Sequence, residues 1–94
     1  MVIGVCTIYL SIPTSHSLKD KRQVLKSLTA RIRNDFNVSI AEVDRQDAWQ
    51  QAVLGVACVS ADLPYVQGLL NRVVQSVSGY RLDAEIIDFE IETF

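Results

Sequence analysis

Val2 to Ile12 carries apolar side chains on both alternating sets, with Val2, Cys6, Ile8, Leu10 and Ile12 on one and Ile3, Val5 and Tyr9 on the other. A β-branched, apolar run filled on both sides predicts a central strand. Pro13 ends it, and Thr14-Ser15-His16-Ser17 forms a polar loop. Ser17 is placed to cap a helix, with Asp20 three residues on completing a capping box. Leu18, Val24, Leu25, Leu28 and Ile32, extended by Phe36, stay on one face when each residue advances by about 100°, so a helix to about Asp35 packs that face on a sheet.

Val38 to Val43 alternates Val38, Ile40 and Glu42 against Ser39, Ala41 and Val43, a short strand ending in the turn-like cluster Asp44-Arg45-Gln46-Asp47. Gln51 to Ser60, apolar on both sets, pairs with it as a hairpin with a longer loop. Asp62, with Pro64 in the first turn, starts a second helix whose Val66, Leu69, Leu70, Val73 and Val77 share a face, and Ser78-Gly79 is expected to stop it. Asp83 to Thr93 reads as an edge strand with Ile87, Phe89 and Ile91 on one side and Asp88, Glu90 and Glu92 on its wet side.

The order βαββαβ, without repeat or linker, predicts one domain over residues 1–94 of the α+β class. Right-handed crossovers make it ferredoxin-like: a four-stranded antiparallel sheet, first and third strands central, with two helices on one face. The helix-free face then carries Ile3, Val5, Tyr9, Val53 and Val59, though Gly55 and Ala57 keep its middle small. Self-association as a homodimer is the simplest cover for such a face.

At 94 residues with 49% apolar and 21% charged positions, the chain has the balance of a small folded domain. No apolar run reaches the roughly 18 residues of a membrane-spanning helix. The first cation is Lys19, too late for a secretory leader, so a cytoplasmic location is expected. Cys6 and Cys58 sit inside apolar strands as buried thiols. With one histidine and no ligand spacing, no metal site and no cofactor is expected.

The net charge of -2 argues against nucleic acid until the charges are mapped. Residues 1–46 hold seven cations and four acids, a net +3, and residues 47–94 hold two cations and seven acids, a net -5. On the first helix, Lys19, Arg22, Lys26 and Arg33 fall within an arc of about 60°, well away from the apolar stripe, and span about 21 Å along the axis. Such a stripe can touch several phosphates of a nucleic-acid backbone. Its bland alternative is a solvated basic helix face. Lys19, Lys21 and Arg22 also crowd the first turn, the positive end of the helix dipole, where acids are normally preferred. With Ser17 and His16 they outline a seat for a phosphate or carboxylate.

Other chemistry is weaker. Ile8-Tyr9-Leu10 resembles the first-strand motif of ribonucleoprotein-type RNA readers, but Val53 to Val59 holds no aromatic for base stacking. The four glycines form no phosphate loop, and no nucleophile and base stand together. His16 reads as a loop residue, the acids of the last strand as protection of a sheet edge, and Trp49 as a packing anchor or interface residue.

Ser17-Leu18-Lys19-Asp20-Lys21-Arg22, Phe36-Asn37-Val38-Ser39, Ala41-Glu42-Val43-Asp44, Asp47-Ala48-Trp49-Gln50 and Leu54-Gly55-Val56 follow one another in an order that resembles the YlxP-like family of small bacterial proteins. The resemblance covers the whole chain; Asp20 stands where that family more often has Glu, which keeps the capping box. It implies a ferredoxin-like fold, a bacterial cytoplasm, no enzyme activity and, through neighbouring genes for translation, an RNA or ribosome-maturation partner. The resulting expectation is a non-enzymatic module, contacting RNA through Ser17, Lys19, Lys21, Arg22, Lys26 and Arg33. The alternatives are a small-anion-binding regulatory domain and a purely structural homodimer.

Overall fold

The computed structural model describes residues 1–80 and 83–94. The elements are β1 (Val2–Ser11), α1 (Leu18–Asp35), β2 (Ser39–Asp44), β3 (Gln51–Ser60), α2 (Leu63–Gly79) and β4 (Glu85–Thr93). The strands pair antiparallel in the order β2-β3-β1-β4. This is the ferredoxin-like α+β fold that the apolar pattern predicts, with β1 and β3 in the centre.

Strand alternation decides what the two faces are made of. Cys6, Ile8 and Leu10 of β1 and Leu54, Val56 and Cys58 of β3 point at the helices, where they bury with Leu25, Leu28 and Ile32 of α1 and Val66, Leu70 and Val73 of α2. Each such side chain contributes roughly 1.5–3 kcal/mol on burial. α2 lies across β1, β3 and β4, while α1 lies over β2 and touches α2. The basic helix and the acidic strand therefore occupy opposite edges of the molecule.

Helix ends follow from local chemistry. Ser17 Oγ accepts the Asp20 N–H and Asp20 Oδ2 accepts the His16 N–H, each at 3.0 Å, a variant of the expected capping box in which the carboxylate reaches the residue before the cap instead of the cap itself. Gly79 does not end α2 by a left-handed turn, because no glycine has positive φ. The chain becomes extended at Tyr80, whose N–H donates to Ser76 O at 3.0 Å. Tyr80 Oη donates to Asp35 Oδ2 at 2.8 Å, and the Arg31 guanidinium stands 5.3 Å from the ring centre, tying the ends of the two helices together. Burial first, and then the adjacent Asp35 carboxylate, push the Tyr80 phenol up to about 12.

Both edge strands carry a bulge, and the one in β4 corrects the expected strand face. In β4 the register shifts between the pairs Tyr9 with Asp88 and Leu10 with Ile86, so Ile86 takes the core-side place and Ile87 leaves it, 62% exposed. In β2 the register shifts after Glu42, and Val43 comes to lie against Gly55 on the helix-free face.

The thiols are free and buried. Burial pushes Cys6 up to about 11 and raises Cys58 as well, against a backbone hydrogen bond with Gly4 that lowers it. At pH 8 only about one Cys6 in a thousand would be thiolate, the form that alkylates. The folded protein is expected to consume iodoacetamide at under about a tenth of the rate of the urea-unfolded chain; prompt labelling of either thiol in the folded state would contradict the packing.

Candidate nucleic-acid interface

The capping box starts α1 at Leu18, and the periodicity that buries Leu25, Leu28 and Ile32 turns Lys19, Arg22, Lys26 and Arg33 to solvent. Among the described residues, no hydrogen bond or ion pair engages the side chains of Lys19, Arg22 or Lys26. Arg33 donates from Nη2 to Ile40 O at 2.9 Å, which fixes one end of the stripe to the β2 backbone while the guanidinium stays exposed. Arg22 and Lys26, four residues apart, repel each other by about 0.2–0.5 kcal/mol, with no acid on the stripe to offset it.

Lys21 does not belong with these cations. It is 1% exposed, and its Nζ donates to Arg45 O at 2.9 Å and to Gln46 O and Gln51 O at 3.3 Å. Those acceptors match the three N–H bonds of an ammonium. Glu42 Oε2 lies 2.8 Å from the same nitrogen, a fourth oxygen around three N–H bonds, and pairs with it chiefly as an opposite charge. The buried cation knots the loop between β2 and β3 onto α1. It cannot turn outward to meet an anion without abandoning four oxygens.

The expected seat at the start of α1 is likewise filled from within. Ser17 Oγ takes the Asp20 N–H, Asp20 takes the His16 N–H, and Ser17 O takes the Lys21 N–H at 3.2 Å. Ser17 is thus a cap, and the carboxylate favoured by the helix dipole is the chain's own Asp20.

Beside that first turn, His16, Ala48, Trp49, Gln50 and Gln51 line a shallow hollow of about 420 Å³. Gln50 Nε2 donates to Pro13 O at 3.2 Å and Ser15 O at 3.1 Å, so the loop before α1 and the loop before β3 are joined there. Trp49 is 55% exposed rather than a packing anchor. The apolar-to-polar pattern gives no sign that it lies next to the helix start, because the contacts that bring the two together, from Gln50 and from Lys21, are distant in sequence.

The family described as "Protein of unknown function (DUF503)" matches residues 3–91. The chain belongs to the DUF503 family. The uncharacterized protein YlxP of Bacillus subtilis (strain 168) is 40% identical to it over 75 residues, which is 80% of this chain and 77% of that protein. The de novo designed protein Foldit4 superposes with a TM-score of 0.54 at 14% identity, covering 100% of this chain and 97% of the design, and the likeness is one of fold.

In this DUF503 chain the polar resources of the first turn are divided by depth. Inward, Lys21 and Asp20 build structure; outward, Lys19, Arg22 and Lys26 face water with no partner in the chain among the described residues. Chemically, the outer set can pair with a line of anionic oxygens, and the exposed indole of Trp49 offers a flat apolar surface in the hollow it shares with His16. β3 presents Val53, Gly55, Ala57 and Val59 to the helix-free face, so the sheet carries no stacking aromatic on that strand.

Proposed function

We propose that this DUF503 protein is a non-enzymatic, cytoplasmic RNA-contacting module that grips phosphates through Lys19, Arg22, Lys26 and Arg33, on RNA alone or in maturing ribosomal particles. The carrying observation is the set of three exposed cations, on one stripe, that no group of the chain neutralises among the described residues. Their mutual repulsion costs stability unless an external anion relieves it. Lys21 and Ser17, both engaged inside the protein, leave the proposed contact set. The small-anion reading is weakened by the same two facts, since its seat already holds Asp20.

Binding to a single-stranded stretch of RNA should fall steeply with salt. Four phosphate contacts on a flexible strand give a log-log slope of about -2.8, hence a loss of roughly 50-fold between 50 and 200 mM salt. The Lys19→Ala, Arg22→Ala, Lys26→Ala triple variant should retain one contact and lose only about threefold over that range. Trp49 is the single tryptophan, so its fluorescence reports a base stacking on it. A wild-type protein with no affinity for RNA or ribosomal particles at 50 mM salt overturns the reading.

A further inference from the structure

The helix-free sheet face has a composition the RNA reading does not use. Cross-strand pairing puts Ile3 beside Val59, Tyr9 beside the already covered Val53 and Thr7 beside Gly55 on that face, β2 adds Val43, and the bulge in β4 adds Ile87. Val43 is 54% exposed, Val59 and Ile87 62% each, and Ile3 36%. Strands about 4.8 Å apart and about 33 Å long give four strands a projected area on the order of 600 Å², of the order of the roughly 800 Å² that one partner buries in a standard interface.

Charge on this face is confined to its edges. On β4, Asp88, Glu90 and Glu92 pair with Tyr9, Thr7 and Val5 and so share the open face. On the opposite edge, β2 contributes Ser39, Ala41 and Val43, then Asp44 and Arg45. Asp44 Oδ1 accepts the Arg45 N–H at 2.7 Å, and the Arg45 guanidinium donates to Gln51 Oε1 while lining a cavity of about 290 Å³ with Tyr9, Val53, Ile87, Asp88 and Glu90. One edge is therefore a column of carboxylates, and the other is close to neutral with one directed cation.

We propose that a second copy of this chain docks on the open face about a twofold axis running along the strands. Two face-to-face twofolds are available, and the edge charges distinguish them. An axis across the strands lays β4 on the partner's β4, stacking three carboxylates on three. An axis along the strands reverses the order β2-β3-β1-β4 over itself, so β4 covers the partner's β2 and β1 covers the partner's β3. Ile3 then meets the partner's Val59, Glu90 and Glu92 lie over the partner's uncharged Ala41 and Ser39, and Asp88 comes over the partner's Asp44-Arg45 pair, where the guanidinium offsets the two carboxylates. Aligned packing near -30° is the ordinary angle for two such sheets. The helices stay outside, leaving both basic stripes free, so this inference stands independently of the RNA reading.

Light scattering and sedimentation of the wild-type chain should give twice its 10.5 kDa mass. Val59→Asp and Ile87→Asp, at exposed positions that leave the far-ultraviolet dichroism unchanged, should each weaken association about tenfold or more. Arg45→Glu or Asp88→Lys alone should weaken it at low salt, and the double swap should restore it to within about threefold. A monomer at about 1 mM, or a dimer indifferent to Val59→Asp and Ile87→Asp, overturns the interface. Failure of the swap to restore overturns the axis. A dimer lost in the Lys19, Arg22, Lys26 triple alanine variant overturns it too, in favour of basic stripe against acidic strand.

Discussion

Lys21→Met is expected to remove about 3–5 kcal/mol of unfolding free energy. A domain of this length has about 5–14 kcal/mol in all, so the midpoint should fall by roughly 12 °C or more. Methionine keeps the unbranched shape that lies between Leu25 and the loop, so the variant isolates the loss of the ammonium. What remains is a carboxylate on Glu42 and three carbonyls, at Arg45, Gln46 and Gln51, with no donor. Glu42 is 21% exposed and can recover some water, which places the loss towards the lower end. Arg45 is the one described non-glycine residue at positive φ, 54°, a conformation that costs roughly 1–2 kcal/mol and that the Lys21 bond to its carbonyl helps hold.

The double variant Lys21→Met, Glu42→Leu separates the two parts of the knot. Removing both charges cancels the ion-pair loss, yet the carbonyls stay unpaired, so less than half of the stability should return. Equilibrium urea unfolding of the three proteins gives the values directly. A single variant within about 1 kcal/mol of wild type would mean that the loop holds its shape without the cation, and full recovery in the double variant would mean that the carbonyls find water.

The chain carries most of the topology in its periodicity, and less of its charge placement. The period of two in β1 and β3, the period of 3.6 in both helices and the Ser17-to-Asp20 spacing lead to the observed topology. Position along the sequence alone groups Lys21 with its cationic neighbours. Read around the helix, it stands four, seven and eleven residues before Leu25, Leu28 and Ile32, in the middle of the buried face. That signal was present, and a cation on an apolar stripe demands a buried partner, which Glu42 on the inward set of β2 supplies. The displacement of Ile87 is half legible: Ile86 and Ile87 stand side by side and break the alternation of Glu85 to Thr93, but which of the two enters the core is not decided by the pattern. The bulge arises from pairing with β1, a contact distant in sequence.

Gly4→Ala is expected to destabilise the fold by about 1–3 kcal/mol, and Gly4→Val by about 3 kcal/mol or more. The sign is the informative part. Alanine replacing glycine in a strand with room for it stabilises by about 0.4–1 kcal/mol, because the unfolded chain loses freedom. At Gly4 there is no room: an added Cβ would overlap Val66 Cγ1 and stand 2.9 Å from Leu70 Cδ1 and 3.3 Å from Cys58 Sγ. Val66 and Leu70 are both 0% exposed, so neither can swing aside into solvent, and α2 would have to lift from β1. Val66→Ala should cost about 2 kcal/mol alone by leaving a cavity, and in combination with Gly4→Ala the new methyl should occupy that space, giving a favourable coupling of about 1–2 kcal/mol. Gly79→Ala supplies the control, since nothing lies within 4 Å of its Cβ position and its φ is not positive. It should stabilise. If Gly4→Ala stabilises as well, α2 does not approach β1 as closely as this packing requires.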